Sequence, residues 1–413
     1  MNRVEVLAPA GDLDKLITAI NYGADAVFMA GEEFGLRTAS KNFSNEQIVE
    51  ALNYAHDRGK KLYITMNIIA HNADFAKLDS YVEFLDSIGV DGVIVADPGI
   101  FMRIKQKAPN LEQHISTQAS ITNADTVNFW YSQGVRRVVL ARELSIDEIK
   151  GIRANIPDDM ELEVFVHGAM CISYSGRCLL SNYFTHRDAN KGDCAQSCRW
   201  KYRLVEETRP GEYYPIEENE RGTFIFNSKD LCLIDYIDQL IEAGVNSLKI
   251  EGRVKTQFYV ATVVRAYRLA VDAYYNGEYN QELKEFLFEE IKKASYRDFT
   301  TGFMFGKPGD EEQNYDSSAY IRGYDFLGIV LDYDEENKEA TIEQRNKFIV
   351  GDLIESFGPY KEIHEFKIDY IKDEDGNLVD YANKAKQIVK INVPCKLLKG
   401  DMLRRKVHEQ ETI

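Results

Sequence analysis

Four of the six cysteines in this 413-residue chain, Cys171, Cys178, Cys194 and Cys198, stand in one short stretch, with six, fifteen and three residues between successive thiols. Gly168, Gly176, Asn190 and Gly192 lie around and between them and allow the chain to bend, so the four thiols can converge. Three chemistries use such a set. A disulfide framework suits small secreted domains, and a long chain with no secretory leader has little use for one. A structural zinc site usually draws on two close cysteine pairs, and only Cys194 and Cys198 form one. An iron–sulfur cluster takes four thiolates at irregular spacing, which fits best, although spacing alone does not separate it from zinc. His167, four residues before Cys171, would permit a Cys–His nucleophile pair, but a nucleophile does not need three further thiols. Cys395 falls in the alternating run Val389, Ile391, Val393, Cys395, Leu397 and reads as an inward-facing strand residue. Cys232, read as lying in the first turn of a helix capped by Ser228, is a possible substitute ligand.

Such thiols need a frame, and the sequence supplies one by alternation. Short apolar runs (4–8, 26–29, 62–67, 92–96, 114–118, 138–141, 162–166 and 247–250) are separated by amphipathic helical stretches. Two of these helices open with capping boxes, Ser44 with Gln47 and Ser145 with Glu148. A long helix is expected over 256–276. Eight strands alternating with helices indicate a closed parallel (β/α)8 TIM-like barrel, with a doubly wound open sheet as the alternative. In a barrel, chemistry gathers at the carboxyl ends of the strands. Those ends are polar here: Gly11, Gly31, Asn67, Asp97, Gln118, Arg142 with Glu143, His167, and Glu251 with Arg253. The expected organisation is a catalytic barrel over 1–276 with a cysteine-rich insertion at 167–203, a helical connector and loop over 277–322, and a small C-terminal β-barrel domain over 323–413. The run 297–303 reads as a loop, and Asp375-Gly376 as a hairpin turn.

The formal charge of −17 argues against a passive nucleic-acid coat. The cysteine region is nevertheless a basic island, with Arg177, Arg187, Lys191, Arg199, Lys201 and Arg203 against Asp188 and Asp193. No apolar run is long enough to span a bilayer, so a cytoplasmic protein without membrane contact is expected. No G-x-S-x-G elbow, H-E-x-x-H helix or P-loop occurs.

The run 163–171 (EVFVHGAMC) followed by 176–181 (GRCLLS) resembles the signature of peptidase family U-32, also labelled collagenase-like proteases. Further matching stretches are Leu7-Ala8-Pro9-Ala10-Gly11, Arg37 with Asn42-Phe43, Ser228-Lys229-Asp230-Leu231, Lys249-Ile250-Glu251-Gly252-Arg253 and Arg297-Asp298-Phe299-Thr300-Thr301-Gly302. Within that family the run from Cys194 to Tyr202 is similar to the branch of bacterial tRNA 5-hydroxyuridine modification proteins. Relatives acting on ubiquinone precursors are shorter and lack the C-terminal β domain, and those acting on ribosomal RNA are longer. The resemblance implies oxygen-independent, prephenate-linked hydroxylation of a wobble uridine. It implies a 4Fe-4S cluster on Cys171, Cys178, Cys194 and Cys198, with Cys232 as the alternative fourth ligand.

The implied partners are tRNA, a small dianionic co-substrate and a related family subunit. The expected catalytic group is Arg253, Arg177, Glu251 and His167. Arg253 and Arg177 would act as carboxylate forks, with Arg37 and Arg142 as further candidates. Tyr174, Tyr183 and Trp200 are candidates for stacking on the base. A U-32 peptidase, or a hydroxylase of another aromatic or RNA substrate, is the alternative.

Overall fold

The computed structural model describes residues 3–35, 42–171, 173–191, 193–200, 218–219, 222–223, 229–307 and 320–407. Arg37, Lys201, Arg203 and Ser228 lie outside these residues.

Eight parallel strands close into a barrel: β1 (Glu5–Pro9), β2 (Ala26–Met29), β3 (Lys61–Met66), β4 (Gly92–Val95), β5 (Gln113–Ile115), β6 (Arg137–Val139), β7 (Glu161–Ala169) and β8 (Ser247–Ile250). Each pairs with the next, and β8 pairs with both β1 and β7 to complete the ring. Local chemistry sets the intervening helices. α1 (Leu13–Asn21) starts at Asp12, whose carboxylate accepts from the Lys15 amide. α2 (Asn45–His56) and α6 (Ile146–Arg153) carry the full capping boxes expected from the sequence. α3 (Leu78–Ile88) ends on left-handed Gly89, and α4 (Pro98–Lys107) opens with Asp97 as cap and Pro98 in its first turn. α5 (Ala124–Ser132) completes the first half of the outer ring.

The segment after β7 departs from a plain crossover. A short helix, α7 (Leu180–Thr185), lies between the second and third cysteines. The chain returns as a three-residue strand, Asp230–Cys232, antiparallel to the end of β7. This corrects the expectation that Cys232 begins a helix: the helix, α8 (Ile237–Glu242), starts later, after a 3-10 turn at Ile234–Tyr236. A second correction concerns 297–303. Phe299–Thr300 is a strand edge parallel to Asp230–Cys232, and the buried Arg297 guanidinium binds Asp230 at 2.5 Å. The strand signal was hidden because each piece is only two or three residues long.

α9 (Gln257–Asn276), capped by Thr256, packs along the barrel, and α10 (Gln281–Lys292) packs on α9. The C-terminal region is an eight-stranded antiparallel sheet with its own core, including Leu327, Ile342, Phe366 and Ile391. The Ile371–Lys372 and Leu378–Val379 strands form the hairpin around Asp375-Gly376. The run bearing Cys395 is a strand only over Ile388–Asn392, so Cys395 lies beyond it, half-buried against the same core.

Candidate functional site at the barrel mouth

Inward positions of the strands alternate with outward ones, so β7 aims Glu163 and Phe165 into the barrel. At the next step the register slips: Lys249 pairs with Phe165, but Ile250 pairs with His167. This bulge turns His167 outward. Its ring sits among Tyr259, Tyr267 and Phe299, and it is buried. Burial, assisted by the nearby Lys255 charge, pushes the imidazole down to about 3, so it is neutral at physiological pH. His167 is therefore a core residue between barrel and helix, which corrects its expected place in the catalytic group.

Above Phe165 the barrel opens into a cavity of about 200 Å³. Cys171, Cys178, Cys194 and Cys198 all line it, as do Arg142, Lys249, Glu251 and Arg253. Arg177 is exposed and does not line it, so the structure brings together Arg253 and Glu251 from the expected catalytic group and leaves Arg177 outside. Cys232 is also elsewhere. It is buried in the apolar layer at the register position opposite His167, and burial pushes its thiol up to about 12.

One anchor ties the cysteine segment to the barrel, and two further contacts brace it internally. Arg142, at the end of β6, donates to the Ala169 carbonyl and the Ser175 hydroxyl at 2.7 Å each, and its guanidinium reaches Cys171 Sγ at 3.6 Å. Ser181 Oγ in α7 accepts from the Ala195 amide at 2.9 Å, tying the helix to the loop between Cys194 and Cys198. Arg187 pairs with Asp193 at 2.7 Å. None of the four thiols is in a disulfide and each is solvent-accessible to some degree, a donor set of the right chemistry for an iron–sulfur cluster. Among the described residues no three His, Cys, Asp or Glu side chains stand close enough to share one metal ion.

Two glycines hold the Lys249–Arg253 turn. A Cβ on Gly11 would lie 2.1 Å from the Arg253 carbonyl oxygen. One on Gly168, whose φ is +107°, would lie 2.7 Å from the Glu251 carbonyl oxygen. The turn thus seats Arg253 almost fully buried, donating to Thr65 Oγ1 at 3.3 Å and Asn42 Oδ1 at 3.0 Å.

The sequence reading did not single out Lys249. Its ammonium meets Glu163 at 2.6 Å inside the barrel, and Glu163 also faces Arg137 at 3.5 Å. Arg137 continues to Glu5 at 2.6 Å. Burial alone would raise the Glu163 carboxyl, but Lys249 and Arg137 outweigh it and hold it below the ordinary carboxylate range. The available signal was the appearance of Glu5, Arg137, Glu163 and Lys249 at inward positions of otherwise apolar strands. The cavity wall also holds three buried amide oxygens, Asn67 Oδ1, Gln118 Oε1 and Asn190 Oδ1, with no partner among the described residues.

Comparison with known proteins places the chain. Residues 11–314 match the model of peptidase family U32, and residues 322–404 match that of the family's C-terminal domain. The chain is 46% identical over 401 residues to the tRNA hydroxylation protein P1 of Bacillus subtilis, spanning 97% of this chain and 94% of that one. It is 36% identical to the tRNA hydroxylation protein P of Escherichia coli, spanning 92% of each. It is 32% identical to a protein of Porphyromonas gingivalis named collagenase, spanning 96% of this chain and 95% of that one. On these matches, which take in both the barrel and the C-terminal sheet, the chain belongs to peptidase family U32.

Proposed function

We propose that this protein is an iron–sulfur-dependent tRNA modification enzyme that hydroxylates a wobble uridine to 5-hydroxyuridine without molecular oxygen, with prephenate as co-substrate. The observation that carries this reading is that four thiols line one cavity with Arg142, Lys249 and Arg253 at the carboxyl end of the barrel. The names of the two tRNA hydroxylation relatives supply the substrate class. Cys171, Cys178, Cys194 and Cys198 would hold a 4Fe-4S cluster, which supplies electron transfer at the cavity wall.

The protein's own groups suit a nucleobase. A wobble base is already unpaired, so no duplex has to be opened. The amide oxygens of Asn67, Gln118 and Asn190 are acceptors suited to the N–H edge of a uracil. Tyr174, at the rim, and Tyr183 and Trp200, further out on the segment, are exposed enough for a base to stack on.

The collagenase name of one relative favours a peptidase as the second reading. A Cys–His nucleophile would need an imidazole at the thiols, and among the described residues no histidine lines the cavity. Iron and sulfide analysis of the anaerobically purified protein tests the proposal. We expect both elements in the wild type, their loss on Ser substitution at any of the four cavity cysteines, and their retention in Cys232→Ser. Tightly bound zinc without sulfide, or cluster loss only in Cys232→Ser, would overturn the assignment.

A further inference from the structure

We infer that the C-terminal region carries a second RNA-binding surface, apart from the cavity, on which exposed lysines around Tyr381 hold the phosphate backbone of the tRNA beyond its anticodon loop. The inference rests on the tRNA reading above for the identity of the RNA and adds where on the protein the rest of that molecule is held.

The surface is built on a separate two-stranded ribbon, Phe348–Ile349 against Tyr381–Ala382. Phe348 and Ala382 are fully buried in the C-terminal core, so strand alternation turns their neighbours Lys347, Ile349 and Tyr381 outward. Ile349 and Tyr381 stand opposite each other in register, 42% and 52% exposed, and so lie side by side on one face. The face continues at both ends of the ribbon. The Val350 amide donates to the Asp380 carbonyl, and the Lys386 amide donates to the Gln344 carbonyl, which brings Lys384 and Lys386 beside the strand that leads to Lys347. At the other end, exposed Leu353 pairs in register with Lys367.

Lys347, Lys367, Lys384 and Lys386 are all exposed, and none forms an ion pair among the described residues. The nearby carboxylates are committed elsewhere: Glu343 to Arg345 at 2.6 Å, and Asp352 to Arg405 at 2.7 Å and the Ile349 amide at 2.9 Å. That leaves Asp380 and Glu365 against four lysines. The bias extends along the chain, for residues 381–400 hold five lysines and no Asp or Glu in a protein of formal charge −17. Unpaired ammonium groups repel one another, and a polyanion relieves that repulsion while releasing its own counterions. An exposed aromatic among such lysines offers a base a face to stack on. A protein partner would use Ile349 and Leu353, but lysine is depleted at protein–protein interfaces, whereas phosphate contacts call for it.

The surface keeps a fixed relation to the barrel. Phe258, at the start of α9 and five residues beyond Arg253, stacks on Phe326 with centroids 5.3 Å apart, and the Tyr22 hydroxyl after α1 donates to the Gly400 carbonyl at 3.0 Å. Binding energy gained on the C-terminal region can therefore be used to orient the anticodon loop at the cavity.

The test is fluorescence anisotropy on the anaerobically purified full chain with two RNAs, an unmodified tRNA bearing a wobble uridine and the isolated anticodon stem-loop of that tRNA. We expect wild type to bind the whole tRNA about 10-fold or more tightly than the stem-loop. Lys347→Gln/Lys384→Gln/Lys386→Gln should lose about 10- to 100-fold of the tRNA affinity, change stem-loop affinity by less than about 2-fold, and flatten the log–log salt dependence by about one per lysine. Tyr381→Ala should weaken tRNA binding about 5-fold or more. Equal affinity of wild type for the two RNAs, or unchanged tRNA affinity and salt dependence in the triple variant, would overturn the surface. So would a wild-type dimer in sedimentation that Tyr381→Ala dissociates while tRNA affinity holds, which would assign the face to a second copy of the chain. Lysine-dependent tRNA binding by a protein that leaves the wobble uridine unhydroxylated would sink the function proposed above and leave the surface standing.

Discussion

Two buried ionic clusters in this protein use the same residue types to opposite ends. Inside the barrel, Lys249, Glu163, Arg137 and Glu5 form a chain that ends at the cavity, which Lys249 lines. Between barrel and C-terminal sheet, Arg265, Arg404 and Lys293 surround Glu290 and Glu355, with contacts of 2.7–2.9 Å. None of these five residues lines the cavity. Arg265 also donates to the carbonyls of Tyr360 and Lys361, and the Arg404 guanidinium lies 4.4 Å from the Phe357 ring centroid. Buried ion pairs offer little net stability over apolar packing, but they are costly to break one-sidedly. A closed cluster can therefore fix how two layers meet, whereas an open-ended one can hold a charge ready at a site.

Arg404→Met should separate the two most sharply. It leaves Glu290 and Glu355 short of counter-charge in the interior and should destabilise the protein by about 3 kcal/mol in denaturant titration. tRNA hydroxylation per folded molecule should be unchanged, unlike in Lys249→Met. If Arg404→Met lowered hydroxylation per folded molecule, the two clusters would be coupled and the contrast would fail.

The open end of the inner chain depends on the Lys249–Arg253 turn. Gly11→Ala puts a methyl group into the Arg253 carbonyl, and we expect about 1–3 kcal/mol of destabilisation with reduced tRNA hydroxylation. Thermal melts and nucleoside analysis of tRNA would show the two effects. Unchanged hydroxylation would mean that the turn does not depend on this contact.

His167 gives the smallest effect near neutral pH. The folded protein holds it neutral down to about pH 3, while the unfolded chain takes up a proton near pH 6.5. The unfolded state therefore binds the extra proton between those values, and stability is lost as pH falls through that window. Between pH 7 and 6 the loss from this group should be about 0.7 kcal/mol, steepening below, and it should vanish in His167→Phe. Denaturation midpoints across pH for the two proteins would reveal a parallel decline if another group were responsible.

The barrel strands were legible because each is a short apolar run between helices with readable caps. The four thiols were legible because clustered cysteines stand out in any composition. His167 was misread because a one-residue bulge reverses which side of β7 it occupies, and no residue pattern announces it. The strand Met402–Lys406 went unread because Arg404 and Arg405 resemble loop residues until Glu290, Glu355, Asp325 and Asp352 are found opposite them. Lys249 was passed over for a related reason: its partner Glu163 is 86 residues away in sequence. Charge pairing across a barrel becomes visible only when the ring closes.

The measurement that bears most directly on the central claim is nucleoside analysis of tRNA from a strain lacking this protein and any redundant pathway, complemented with wild type or with Cys194→Ser. The account predicts that nucleosides derived from 5-hydroxyuridine disappear in the deletion, return with wild type and stay absent with Cys194→Ser. Unchanged levels of those nucleosides in the deletion, or full rescue by Cys194→Ser, would contradict it.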